Sequence, residues 1–460
     1  LYQSDDQIVN TGNVRLERQT TPILKSDYTY WSSPVSNQQL ISLSPNTSSS
    51  KFYSYDATAD DWVHETVTNT MVLGKGYIIR GPENFSNTIP AVYEAVFSSV
   101  PNNGIISVPI AAADTSNLIG NPYPSAIEAD LFLIENTGII EGTIYFWTHN
   151  TPLTNYVYTA DDYAVYNLLG GVGTSAATNL GINNTKPDGK IASGQAFFVT
   201  GMNGGGMAIF NNSMRVVGQN SLFYKSNTKK KSFVGIEKHR LWLNLSNSQG
   251  AFKQLLLGYA TGATNQNETT FDGESFDGNK YLDFYSINED VSLVIQARAL
   301  PFEETDEVPL GYKTEIEGTF SINIDDKDGL FQNQSVFIED KETNSIHDLR
   351  NEAYSFFSSK GTFNDRFVLR YTDRTLSVSD FNQNKNSVLI FNKKKQLKIT
   401  SLDGSIDSVT VYDLTGKLVY QRKKIEDTEL TISDLTCSQG VLLVKTVLKN
   451  GKTVVKKVMN

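Results

Sequence analysis

The sequence predicts an all-β protein, tandem β-sandwich domains ending in a small immunoglobulin-like β-sandwich, and three observations carry that expectation. Apolar and aromatic residues alternate in short runs such as "KFYSYDA", "KGYIIRG", "TIYFWTH", "LWLNLSN" and "RFVLRYT", the period of half-buried strands. Clusters of Asn, Asp, Gly, Ser and Pro separate the runs and supply turn chemistry. No segment keeps apolar residues three and four apart over a dozen positions. The nearest approach to a helix is "NPYPSAIEADLFLIEN", 121–136, where Ser125 is placed to cap one or two turns.

In chain order, residues 1–222 form a β-rich region in which one plan is legible twice. "WSSPVS", "KFYSYDATADDWV" and "LGKGYIIRG" are answered by "IGNPYPS", "IYFWTHN" with "YVYTADDYAVY", and "IASGQAFFVTG". The region reads either as two repeats, 1–110 and 111–222, or as a single larger sandwich with coincident turn chemistry. A basic linker is expected at 223–239, a further β-sandwich at 240–373, a polar linker at 374–386 and a terminal module at 387–460. With 460 residues, several domains are the natural reading.

Charge divides the chain. The whole carries −10, yet residues 385–460 hold 14 Lys and Arg against 7 Asp and Glu, a net of +7 that leaves −17 for the rest. Such asymmetry marks segments with different partners. The acidic balance argues against a nucleic-acid binder. No apolar run of about 18 residues occurs, so no transmembrane segment is expected. The opening "LYQSDDQIVN" lacks a basic and then apolar leader, as in a mature product or a fragment.

Chemistry is sparse. The single cysteine, Cys437, excludes an internal disulfide and a cysteine-built zinc site. The four histidines, His64, His149, His239 and His347, show no ligand spacing and read as surface or turn residues. "GMNGGGM", 201–207, lacks the strand-to-helix context of a phosphate loop and reads as a hairpin tip. Trp31, Trp62, Trp147 and Trp242 are candidates for a sugar-stacking platform, with core packing the plainer reading. No enzyme and no cofactor are expected. The one candidate metal site is calcium in "FDGESFDGNKYLDFYSINED", through Asp272, Glu274, Asp277 and Asp283, set against solvated turn carboxylates.

The terminal module carries "LIFNKKKQLKI", then "VTVYDLTGKLVY", then "ISDLTCSQGVLLVKTVLKNG", then "KTVVKKVMN". In this order the segments resemble a C-terminal sorting domain of the type IX secretion system of Bacteroidota. The likeness rests on Val411, Tyr412, Asp413, Leu414, Gly416, Lys417, Leu418, Gly440, Lys445, Gly451, Lys456 and Lys457. Where the commonest version has a Gly-aromatic-Tyr strand, this chain has Gly440-Val441-Leu442-Leu443. Its lead-in is closer to the type C signal. The upstream blocks "GNPYPSAIEADLF", "ASGQAFFV", "FNNSMRV", "GAFKQLLLGYATGATN" and "GTFNDRFVLRY" are similar in texture to the regions that precede such signals in large flavobacterial cell-surface adhesins.

The resemblance implies a small β-sandwich read as an export address by the secretion translocon and its outer-membrane shuttle protein. The protein would then be exported across the outer membrane to the cell surface or beyond, with a surface glycan or another cell-surface target as the cargo's partner. The residues agree with a sandwich. Alternation from Val409 buries one face of each strand, Asp413 and Gly416 suit the connecting turn, and lysines form a basic exterior. The alternative reading is a secreted carbohydrate- or calcium-binding module, with a hydrolase behind it.

Overall fold

The computed structural model describes residues 1–112, 114–148, 163–174, 186–202, 204–218, 235–275, 281–373, 388–393, 396–402, 404–413, 417–433, 441–450 and 453–459. It is all-β, as the alternation predicts. The chain divides into two compact units, residues 1–373 and 374–460.

The first unit opens with β1 (Val14–Gln19), β2 (Tyr28–Trp31), α1 (Leu40–Leu43), β3 (Phe52–Asp56), β4 (Asp61–His64), β5 (Tyr77–Arg80) and β6 (Glu94–Ser99). It continues with β7 (Ile106–Ile110), β8 (Ser116–Gly120), β9 (Ala126–Glu128), α2 (Ala129–Glu135), β10 (Ile140–Trp147), β11 (Tyr163–Asn167), β12 (Gly171–Val172), β13 (Lys190–Ile191), β14 (Ala196–Gly201), β15 (Gly206–Phe210) and β16 (Arg215–Val216). Strand order is the same in both halves. β1 pairs β6 beside a sheet ordered β2-β5-β3-β4, and β7 pairs β15 beside a sheet that runs β8-β14-β10-β11 before β12. In each half a short helix separates the first and second of those sheet strands. The second half therefore starts at β7, ahead of the boundary at 110/111 that the sequence suggests, because β7 pairs β15.

The halves meet through reciprocal backbone contacts. Trp31 bridges Gln195 while Lys75 bridges Ile119. The Ser32 amide donates to the Gly194 carbonyl at 2.8 Å, and the Gly120 amide donates to the Gly74 carbonyl at 2.9 Å. Gly74 and Gly194 both hold positive φ, 70° and 73°, a conformation other residues reach at a steric cost. The end of β2 thus meets the residues ahead of β14, and the residues ahead of β5 meet β8, a reciprocal arrangement like that of a two-fold interface.

Alternation then sorts the side chains. Trp31, Phe52, Tyr77, Ile79 and Phe97 fill a core inside the first half. Tyr30 and Ile78, on the opposite face, join the core of the second half. α2 begins later than the sequence suggests. Its cap position is Glu128, and the Ser125 hydroxyl instead accepts from Arg215 Nε at 2.9 Å. "GMNGGGM" is not a hairpin tip either, since it passes from β14 in one sheet to β15 in another.

The third part of this unit comprises β17 (Lys238–Asn247), β18 (Phe252–Ala260), β19 (Gly273–Glu274), β20 (Leu282–Asn288), β21 (Val291–Ala299), β22 (Glu307–Thr314), β23 (Gly318–Lys327), β24 (Phe337–Asp340), β25 (Ser345–Asp348), β26 (Tyr354–Ser358) and β27 (Gly361–Arg370). The sheet runs β25-β24-β27-β22-β20-β21-β18-β17-β23-β26, with β19 on β21. Its two end strands, β25 and β26, are consecutive in sequence. One face encloses Leu243, Leu257, Phe284, Tyr312 and Phe367.

The other face does not stand apart. Trp242, Leu256, Val294 and Ile295 belong to the same apolar cluster as Ile144, Phe146 and Leu169 of the second half. Thr143 Oγ1 donates to the Asp272 carbonyl at 3.1 Å, and Asn167 Nδ2 to the Phe271 carbonyl at 2.6 Å. Core packing therefore crosses the position of the basic linker, of which 223–234 lie outside the described residues.

The second unit holds β28 (Val388–Lys393), β29 (Gln396–Ser401), β30 (Ile406–Asp413), β31 (Leu418–Lys423), β32 (Glu429–Ile432), β33 (Val441–Leu448) and β34 (Thr453–Met459). Two sheets, β28-β29-β32 and β31-β30-β33-β34, enclose Leu397, Ile399, Val409, Val411, Leu442 and Val444. It is a small sandwich with a core of its own. Among the described residues no helix is long and apolar enough to cross a membrane.

Candidate functional site

Of the residues that carry the sorting resemblance, Val411, Tyr412, Asp413, Leu418, Lys445, Lys456 and Lys457 lie on strands of the sheet β31-β30-β33-β34, and Lys417 directly precedes β31. Val411 is fully buried, Tyr412 and Asp413 are half-buried, and Lys417, Leu418, Lys445 and Lys457 are exposed, with Lys456 half-buried. Leu414, Gly416, Gly440 and Gly451 lie outside the described residues. Asp413 closes the turn as its residue type suggests. Its Oδ1 accepts from the Lys417 amide at 3.0 Å, and its own amide donates to the Lys417 carbonyl at 3.0 Å. β30 is central because its residues pair on both sides. Val411 faces Tyr420 on β31 and Val444 on β33.

The acidic stretch 271–290 does not converge on one point among the described residues. The buried Asp272 carboxylate accepts from the Ala297 amide at 2.9 Å and the Glu268 amide at 3.0 Å. Burial pushes its pKa up to about 7 despite those two bonds. Asp283, also buried, is held by the Ser275 hydroxyl at 2.9 Å and pairs with Lys253 Nζ at 3.3 Å. Glu274 is exposed, and Asp277 lies outside the described residues. Each buried carboxylate is thus engaged by protein donors. No group of three or more His, Cys, Asp or Glu that could hold a metal ion occurs among the described residues.

The acids of "NIDDKDG" are engaged as well. Asp325 takes Lys186 Nζ at 3.0 Å and Gln254 Nε2 at 3.1 Å, and Asp328 takes Arg240. The described histidines are similarly occupied. His64 contacts the Ser49 carbonyl, His239 accepts from the Leu330 amide, and His347 contacts the Glu352 carbonyl.

The four tryptophans separate into two kinds. Trp31 and Trp242 are buried. Trp62 and Trp147 are half-buried, in an aromatic seam to which both halves contribute. Tyr30 stacks on Trp147 with centroids 5.4 Å apart and planes within 9°, and Phe198 packs edge-on to Tyr55 at 5.1 Å. The Tyr30 and Tyr163 hydroxyls are 2.5 Å apart. The ring faces in this seam are used by other rings, which is core packing rather than a free stacking platform.

A cleft of about 510 Å³ lies beside the seam, walled by Tyr55, Glu65, Lys75, Val108, Ile110 and Ile119. Glu65 and Lys75 pair across 3.2 Å, and Asn69 Nδ2 donates to the same carboxylate at 2.9 Å. Burial works to raise the Glu65 pKa. Hydrogen bonds from Ser54 and Asn69 and the charge and hydrogen bond of Lys75 outweigh it and hold the carboxyl below its usual range. The cleft presents a fixed ion pair on an apolar floor, and no His or Cys lines it. It is large enough for a small ligand, and the Glu65 carboxylate on its wall, held by Ser54, Asn69 and Lys75, could orient one. It was not legible in the sequence, because its walls come from two separate stretches, 54–75 and 108–119, that belong to different halves.

Residues 1–371 match the family model described as Domain of unknown function (DUF8693), and residues 376–460 match a second, Domain of unknown function (DUF8694). No curated protein matches the chain. Solved chains that match include one titled "Biofilm associated protein - BSP domain", at 11% identity over 100% of this chain and 94% of that one. Its TM-score is 0.13, too low for a shared fold.

Proposed function

The chain belongs to the DUF8693 family through residues 1–371, and from that premise we propose that it is an exported, non-enzymatic surface protein of adhesin type. Residues 387–460 are its address for type IX secretion, read by the translocon and its shuttle. The cargo is the 1–373 unit, in which the halves and the third sheet pack as one body.

One observation carries this reading. The ordered sorting motifs fall on a compact unit with its own apolar core, and the two family models divide the chain at nearly the same place, 371 and 376. An address must be separable from whatever it labels. A unit that closes its own core does not depend on the cargo to fold, and it needs no disulfide to do so. The basic balance of this unit and the acidic balance of the cargo fit different partners.

Sufficiency is the direct test. Residues 374–460 fused to a periplasmic reporter should carry that reporter to the cell surface or medium of a host with type IX secretion. A folded fusion that stays in the periplasm would count against the address.

A further inference from the structure

We infer that the outward face of the sheet β31-β30-β33-β34 docks an acidic protein surface. This rests on the sorting reading and names the part of the module that does the recognising.

Register and burial define the face. Val409, Val411 and Val444 are fully buried, so the residues alternating with them point outward. Tyr412 pairs with Leu418 on one side and Leu443 on the other, and Leu443 pairs on with Lys457. One row over, Thr410, itself buried beneath its neighbours, stands between Gln421 and the exposed Lys445, and Lys445 pairs with Val455. In the next row Ser408 faces Lys423. Apolar and cationic side chains therefore interleave, and these rows contain no carboxylate. Leu418 is 50% exposed and Val455 58%, so each edge strand of this sheet offers an accessible apolar side chain beside the lysines.

The opposite sheet is built differently. On β29 and β32, Lys398 pairs with Glu429 at 2.9 Å, and the Thr400 hydroxyl donates to the same carboxylate. That face neutralises itself. Among the described residues Lys423, Lys445 and Lys457 make no ion pair, so the two faces of one sandwich differ in what they leave unsatisfied.

Charge complementarity selects the occupant. Unpaired lysines between apolar side chains fit a partner whose carboxylates alternate with apolar residues. An anionic membrane fits less well, since lipid-binding basic clusters commonly hold about 4–8 Lys or Arg and aromatic wedges. This face offers three lysines and one tyrosine.

The test is export of the full chain from its host. Lys445→Glu with Lys457→Glu should lower secreted protein by about tenfold or more, with folded protein accumulating in the periplasm at unchanged Tm. Lys445→Arg with Lys457→Arg should export normally. Exchanging Lys398 and Glu429 on the opposite face should leave export unchanged.

Normal export of the Lys445→Glu, Lys457→Glu chain, when deletion of 386–460 blocks export, overturns the docking face and leaves the address standing. Normal export of the deleted chain overturns both. Co-sedimentation of the wild-type chain with vesicles of equal parts phosphatidylcholine and phosphatidylglycerol, lost in the Lys445→Glu, Lys457→Glu chain, overturns the protein partner in favour of lipid.

Discussion

Replacing Trp242 with alanine is expected to destabilise the 1–373 unit by about 3–5 kcal/mol. Trp242 is buried on β17 within the cluster that joins the third sheet to the second half. Its indole N–H donates to the Gly171 carbonyl at 2.8 Å. Lys186 Nζ sits 4.5 Å from the ring and the Arg240 guanidinium 4.9 Å. Both cations are anchored in turn, Lys186 by Asp325 and Arg240 by Asp328. Alanine leaves a cavity, an unanswered carbonyl and two cations without their ring. Phenylalanine keeps the ring and loses the hydrogen bond, so its cost should be smaller. Urea unfolding of the full chain measures both, and a cost below about 1 kcal/mol for alanine would mean that the junction does not hold the unit together.

Replacing Arg366 with alanine is expected to cost about 3–5 kcal/mol at neutral pH, because it strands a buried carboxylate. Asp340 is fully buried and accepts from Arg366 Nη2 at 2.8 Å and from the Tyr354 hydroxyl at 2.8 Å. Arg366 also lies 4.7 Å over the Phe356 ring. Burial works to raise the Asp340 pKa. Hydrogen bonds from Arg366, Tyr354 and the Glu342 amide, with the Arg366 charge, overcome it and hold the group below its ordinary value.

The sign of the pH dependence follows. In the wild type the folded carboxyl binds fewer protons than the unfolded one. Its contribution is therefore complete above the unfolded pKa and is lost as pH falls through the folded one. Without Arg366 the same buried group favours its proton, and acidification relieves it. The stability gap between wild type and variant should accordingly narrow below about pH 5. A gap that stays constant down to acid pH would assign the loss to packing against Phe356 instead.

Much of the architecture was legible because alternation and turn chemistry are local. "KFYSYDA" reads as a strand and is one, and the structure adds that Phe52 points inward. Even the doubled plan had a visible mark, since the glycines ahead of "YIIR" and "AFFV" stand where Gly74 and Gly194 take positive φ at the junction between halves. Partnership was not legible. The pairing of β7 with β15 joins residues about a hundred positions apart, and nothing in "IISVPI" names "GMAIF" as its neighbour.

Side-chain competition was equally hidden. Ser125 suits a helix cap, but Arg215 claims its hydroxyl from β16. The carboxylates of 271–290 look like one cluster in sequence, yet Asp272 turns to the Ala297 and Glu268 amides while Asp283 turns to Lys253. In the terminal module the opposite held. Asp413 answers the Lys417 amide only four positions on, so the turn could be read from its residue types.

We propose that residues 386–460 send the chain across the outer membrane, and deleting them while following the truncated protein in its own host is the decisive measurement. A folded 1–385 fragment should stay in the periplasm, with none at the surface or in the medium. Secretion of that fragment at the wild-type level would contradict it.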